Sequence, residues 1–193
     1  MVLEYCCPVW NTSKIADIQA VETVKRQFIR KIAGWRELNY WNRLRKLDLL
    51  SLQRRRERYT IIQVWKIYRN LAPNDTGMEF YHHPRLGVRA KVPSFNTSAQ
   101  RSVSSTYEEY LGVNGARLWN ILPANVNTQT TLEGLKSSLG AFLKSIPDYP
   151  PVPGYTPPNS NFLITWRAVG GASGEQAWFR SPESRSRGKE QQR

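Results

Sequence analysis

Residues 25–69 carry 14 Lys and Arg against three acids, Glu37, Asp48 and Glu57. That places +11 of a total net charge of +13 within 45 residues. Like charges held together oppose compaction, so such a block must spread over solvent-facing surfaces or meet a polyanion. Apolar residues thread the block at three- and four-residue steps, the period of a helix. The two patterns together predict helices with one apolar and one cationic side, and a polyanionic partner, most simply nucleic acid.

The first helix is expected over 13–32, capped by Ser13, with Asp17 in its first turn and Gly34 as its stop. Ile15, Ile18, Val21, Val24, Phe28 and Ile32 make the face expected to be buried. Lys25, Arg26, Arg30 and Lys31 fall late, where cations complement the helix dipole. A second helix is expected over 40–47 behind an Asn39 cap, with Trp41, Leu44 and Leu47 three residues apart. A third is expected over 51–71, ended by Pro73 and Asn74. Its first half is almost wholly cationic and is expected to reach solvent or a ligand. Its second half, rich in Ile, Val, Trp and Tyr, is expected to enter the core.

From 74 to 114 the periodicity weakens, and short strands over 89–92 and 101–104 are expected to form a hairpin. Residues 115–122 read as a short helix stopped by Pro123. A last helix is expected over 131–145, with Thr130 and Glu133 as a capping box and Leu132, Leu135, Leu139, Phe142 and Leu143 facing inward. Residues 147–158 form an extended proline-rich arm, read as a spacer or as a ligand for a proline-recognising groove. Residues 162–166 are an apolar knot able to dock back. Residues 167–193 have few aliphatics and are expected to be disordered. The expected fold class is mainly α, a helical bundle with a minor β hairpin and a disordered C-terminal tail. The expected regions are 1–72 (basic, helical), 73–123 (loops and short strands ending in a short helix), 124–166 (helix plus proline arm) and 167–193 (tail).

The residues needed for autonomous chemistry are missing. Cys6 and Cys7 are adjacent, which strains any bridge between them, so reduced thiols are expected. His82 and His83 are adjacent as well and lack metal-ligand spacing. The four aspartates are scattered, whereas a two-metal centre needs converging carboxylates. No enzyme activity, cofactor, metal or small-molecule substrate is expected. No stretch approaches the roughly 20 apolar residues of a membrane span, and no signal peptide is visible. A nuclear or cytoplasmic protein is expected.

Several motifs, in order, resemble one family. Leu3-Glu4-Tyr5 and Pro8-Val9-Trp10 are followed by Ile29-Arg30-Lys31-Ile32-Ala33-Gly34, then Leu38-Asn39-Tyr40 and Arg43-Leu44. Next come Leu49-Leu50-Ser51-Leu52-Gln53-Arg54-Arg55-Arg56-Glu57-Arg58-Tyr59, Leu118-Trp119-Asn120-Ile121-Leu122-Pro123, and Phe142-Leu143-Lys144-Ser145-Ile146-Pro147-Asp148. Residues 2–166 thereby resemble the segment downstream of the polymerase core in non-LTR (LINE-type) retrotransposon reverse transcriptases of animals. The resemblance implies a thumb-like, non-catalytic carboxyl-terminal region. The parent would carry out RNA-directed DNA synthesis. The palm and its Tyr-Xaa-Asp-Asp signature are missing, which implies a truncated copy, and residues 167–193 match nothing in the family.

Arg30, Lys31, Arg54, Arg55 and Arg58 are the candidate contacts to the backbone of RNA or an RNA–DNA duplex. Trp35, Tyr40 and Trp41 lie between basic segments, where they stack on bases or pack in the interior. Trp10, Trp65 and Trp119 are expected in the core. Two other readings stand beside nucleic-acid binding: a protein-interaction module reused by a host, and a translated relic that folds marginally.

Overall fold

Ser51 starts the helix around which the rest of the chain is arranged. Its Oγ accepts a hydrogen bond from the Arg54 amide at 3.0 Å, satisfying one of the donors a helix start leaves open. The computed structural model describes residues 6–10, 12, 14–32, 37–91, 109–154 and 161–163. In chain order the elements are α1 (Cys7–Trp10), α2 (Ile15–Arg30), α3 (Tyr40–Lys46), α4 (Leu52–Tyr68), β1 (Glu79–His83), β2 (Gly87–Lys91), α5 (Leu111–Ile121), α6 (Ala124–Asn127) and α7 (Leu132–Lys144). The protein is mainly α-helical with one antiparallel hairpin, as expected. The expected Ser13 cap, the Gly34 stop, the 101–104 strand and the 167–193 tail lie outside the described residues, as does the side chain of Trp10.

The main core packs the second half of α4 against α5, α7 and the hairpin. Ile61, Val64 and Trp65 meet Leu118, Trp119, Leu135, Leu139, Leu143 and Leu163 there. Each such side chain contributes roughly 1.5–3 kcal/mol on burial. Three fully buried leucines on α7 therefore hold a 13-residue helix that would be marginal alone. Its cap is Thr131, which accepts from the Gly134 amide at 3.1 Å, one residue later than the expected Thr130 box. Trp65 and Trp119 are core residues as expected, and each indole N–H finds a carbonyl, at Gln129 and Val88.

The hairpin pairs β2 with a strand upstream of it rather than downstream, with Tyr81 opposite Arg89. Its turn is closed by the His83 side chain, whose Nδ1 accepts from the amides of Arg85 and Leu86. Gly87 follows at φ +73, a left-handed conformation that disfavours a side chain. The outer edge of β2 is occupied by two asparagine side chains. Asn120 bonds both the amide and the carbonyl of Ala90, and Asn127 bonds the Val88 amide and the Leu86 carbonyl. These groups would otherwise be open to edge pairing. The Trp119-Asn120 motif thus serves as the hairpin's clamp. α5 begins at Leu111, four residues before the expected start, and carries Gly115 inside it; a Cβ there would lie 2.8 Å from Val64 Cγ2.

Of the face of α2 expected to be buried, Ile18 is buried as expected, but most of the rest is not. Ile18, Glu22 and Ile29 turn inward, while Ile15, Val24, Phe28 and Ile32 are exposed, Phe28 at 73%. The reason is polar. The Glu22 carboxylate accepts from Tyr40 Oη at 2.5 Å and from the Gln53 amide at 2.7 Å, and this buried pair of bonds sets the rotation of the helix. The proline arm also departs from a free spacer in its described part. Pro150, Pro151 and Val152 are buried, and Val152 joins Ile29, Tyr40 and Leu44 in a second small core.

Candidate nucleic-acid interface

The start of α4 was expected to project from the protein, and it does not. Ser51 donates its backbone N–H and its hydroxyl to the two oxygens of Asp148, at 2.7 and 2.8 Å, fastening the first turn of α4 to the loop after α7. The run that follows is then divided by the helix period. Arg54 and Arg56 turn inward, and Arg55 and Arg58 lie half-buried on the outer side.

Arg54, at 1% exposure, is a correction to the expected contact set. Its Nη1 pairs with Glu57 Oε2 at 3.3 Å and its Nη2 donates to the Pro147 carbonyl at 3.2 Å. Tyr40 is the second correction. Its ring is buried and its hydroxyl is held by Glu22, so it packs in the interior and does not stack on bases. Trp35 lies outside the described residues. Trp41 is half-buried, donates to the Pro150 carbonyl at 3.2 Å, and meets Tyr149 edge-to-face at 6.2 Å. It helps line a cavity of about 480 Å³ between α3 and the end of α7.

These inward groups form a polar clasp. Asn161 joins it, accepting from the Tyr149 amide and donating to Gln53 Oε1 and Asp148 Oδ1. The Leu163 amide donates to Glu57 Oε1 at 3.0 Å. Burial pushes the Glu57 carboxyl up to about 7, more than the Arg54 charge and the Leu163 amide pull it down. Burial also raises Glu22, against the hydrogen bonds from Tyr40 and Gln53. Tyr40 is raised by its own burial and by the Glu22 charge. Burial lowers the Arg56 guanidinium. The clasp joins α2, α3, α4 and residues 147–149 and 161–163, and its carboxylates are engaged by internal donors. Among the described residues no group of three or more His, Cys, Asp or Glu is able to hold a metal ion.

The outward cations gather elsewhere. Arg30 and Lys31, both expected contacts, are exposed at the end of α2. Arg26 stands one turn before Arg30 on the same side. α3 adds the exposed Arg45 and Lys46, with Arg45 donating to Tyr149 Oη at 3.2 Å, and carries Arg43 on its buried side. Arg43 is 5% exposed. Its Nε reaches the Asn39 carbonyl at 3.4 Å, and its Nη1 has no hydrogen-bond partner. Burial pushes its pKa below the usual guanidinium value, and the charges of Arg30 and Arg26 push it further. Arg26 and Arg43 were counted in the basic block but not singled out. The i, i+4 spacing of Arg26 and Arg30 was a readable signal; the approach of α3 to that pair is tertiary and had none.

No family model matches the chain, and no curated protein and no solved structure matches it. Among the described residues no helix is long and apolar enough to cross a membrane.

Proposed function

We propose that this protein binds RNA or an RNA–DNA duplex through backbone phosphates. On this reading it corresponds to the non-catalytic carboxyl-terminal region of a LINE-type reverse transcriptase and acts inside the cell, in nucleus or cytoplasm. Its contact surface is the end of α2 together with α3, flanked by Arg55 and Arg58 on the outer side of α4. The observation that carries this reading is the exposure of Arg30 and Lys31 at the end of α2 and of Arg45 and Lys46 on α3, two helices that pack together through Ile29, Tyr40 and Leu44. Such a surface binds polyanions tightly, with little sequence preference and steep salt dependence. On this reading the clasp carboxylates hold the fold together and take no part in polymerisation.

The test is fluorescence anisotropy with a labelled RNA–DNA hybrid and a labelled single-stranded RNA from 50 to about 200 mM salt. A protein making several phosphate contacts loses orders of magnitude in affinity over that range. Absence of binding at the lowest salt overturns the reading.

One observation favours a second reading, that of a protein-interaction module. Val24 and Phe28 on α2, with Ile32 just beyond its end, are exposed apolar side chains beside the basic surface. A partner that seats there would bind with little salt dependence and would be released by Phe28→Ser.

A further inference from the structure

We propose that Arg26, Arg30 and Arg43 form a site for a single phosphate group of a nucleic-acid backbone. The inference rests on the nucleic-acid reading for the source of that phosphate.

Arg43 does not lose its proton at any ordinary pH, so a positive charge is held almost fully out of water. A buried charge is normally offset by an opposite charge and a full set of hydrogen bonds. Here the described residues supply neither. The Asn39 carbonyl takes one N–H, and Nη1 has no acceptor. Glu22, the buried acid of α2, is already taken by Tyr40 and the Gln53 amide. Tyr40, beside Arg43 on α3, is held neutral by its burial. Instead of a counter-charge, the charges that act on Arg43 are those of Arg26 and Arg30 on α2, whose Ile29 packs against Tyr40 and Leu44 of α3. Among the described residues no ion pair engages any of the three.

An oxyanion resolves this arrangement. The exposed guanidinium of Arg30, with that of Arg26 one turn before it, offers paired N–H forks to a phosphate, and the covered Nη1 of Arg43 becomes a third donor once the side chains over it part. The C-terminal end of α2 opposes an anion, but its dipole amounts to about half a negative charge against three full positive ones. The attraction therefore comes from the side chains. Their removal is measurable without unfolding the protein, because Arg30 is exposed.

The experiment uses the full chain and two readouts. In the first, thermal unfolding is followed in sodium chloride and in sodium pyrophosphate at matched ionic strength. The wild type is expected to gain on the order of 3 °C at a tenfold excess over the dissociation constant. Arg30→Gln is expected to lose that gain. Arg43→Met removes the uncompensated charge and is expected to unfold in chloride no earlier than the wild type, with no gain from pyrophosphate. In the second readout, binding of the RNA–DNA hybrid is measured across salt. Each variant is expected to weaken it and to reduce the slope of log affinity against log salt by about one. If the hybrid binds with an unchanged slope in both variants, the site is overturned while the nucleic-acid reading stands. If pyrophosphate stabilises through Arg30 but no nucleic acid binds, the backbone phosphate is overturned as the ligand and a free polyphosphate takes its place. If Arg43→Met does not fold, the proposal stands or falls on Arg30→Gln.

Discussion

Replacing Arg54 with Gln separates an interior arginine from a surface one. In this structure the change removes the guanidinium paired with Glu57, a pair whose side chains are 1% and 3% exposed. Breaking a buried pair from one side costs about 3–5 kcal/mol, mostly the penalty of the charge left behind. The Pro147 carbonyl also loses a charged donor, worth about 1.5–3 kcal/mol. The two losses share one side chain and do not simply add, so about 4 kcal/mol is expected at pH 8. The cost depends on pH. Below about 7 the Glu57 carboxyl takes up a proton and no longer strands a charge, so at pH 5 about 2 kcal/mol should remain, the lost Pro147 bond. Urea unfolding at both pH values measures this. With a slope of about 2 kcal/mol/M, the midpoint at pH 8 should fall by about 2 M. A surface Arg→Gln change stays within about 0.5 kcal/mol. A loss under about 1 kcal/mol at pH 8, or an equal loss at both pH values, would refute the interior assignment.

The remaining predictions concern the same clasp and the hairpin. Because Glu57 binds a proton up to about 7 when folded but only to the ordinary carboxylate value when unfolded, the native state holds more protons between about 4.5 and 7. Stability should therefore fall as pH rises through that window, and Glu57→Gln should flatten the fall in calorimetric scans; Glu22, also raised, adds to it with the same sign. Tyr40→Phe removes the hydroxyl that bonds Glu22 and should cost about 1–3 kcal/mol in urea unfolding, whereas a base-stacking Tyr40 would tolerate it. Gly87→Ala places a Cβ 2.2 Å from Asn127 Oδ1 at φ +73, so thermal unfolding should reveal a loss of about 2–3 kcal/mol.

The fold was legible where a local signal was strong enough to act alone. Asn39 caps the helix it was expected to cap, α4 starts within one residue of its expected start, and the leucine spacing of α7 identified its buried face. Errors arose where a polar group outbid an apolar pattern. The stripe Val24–Phe28–Ile32 has the better apolar periodicity, yet Glu22 is the residue that α2 buries, because its carboxylate is matched by Tyr40 and Gln53 from other elements. The arginine run misled for the same reason. Composition suggested a solvated start to α4, while Asp148, Pro147 and Glu57, up to 97 residues away from Ser51–Arg54 by sequence, supply the partners that draw it inside. The strand pairing failed because β1, with its two histidines, lacks the alternation that marks a half-buried strand, and its burial pattern is almost wholly exposed. Of the candidate contacts, Arg30 and Lys31 were readable from their late position on an amphipathic helix. Arg43 becomes visible only when α3 packs against α2.

The central claim is that the α2–α3 surface, and not the inward arginines of α4, carries nucleic-acid contact. Its most direct test measures RNA–DNA hybrid affinity across a salt series for the wild type and for the double variant Arg30→Gln/Lys31→Gln, with folding checked by circular dichroism. The account predicts that the wild type binds with steep salt dependence, and that the folded double variant binds at least tenfold more weakly with a slope reduced by about two. Wild-type affinity and slope in the double variant, or no binding by the wild type at 50 mM salt, would contradict it.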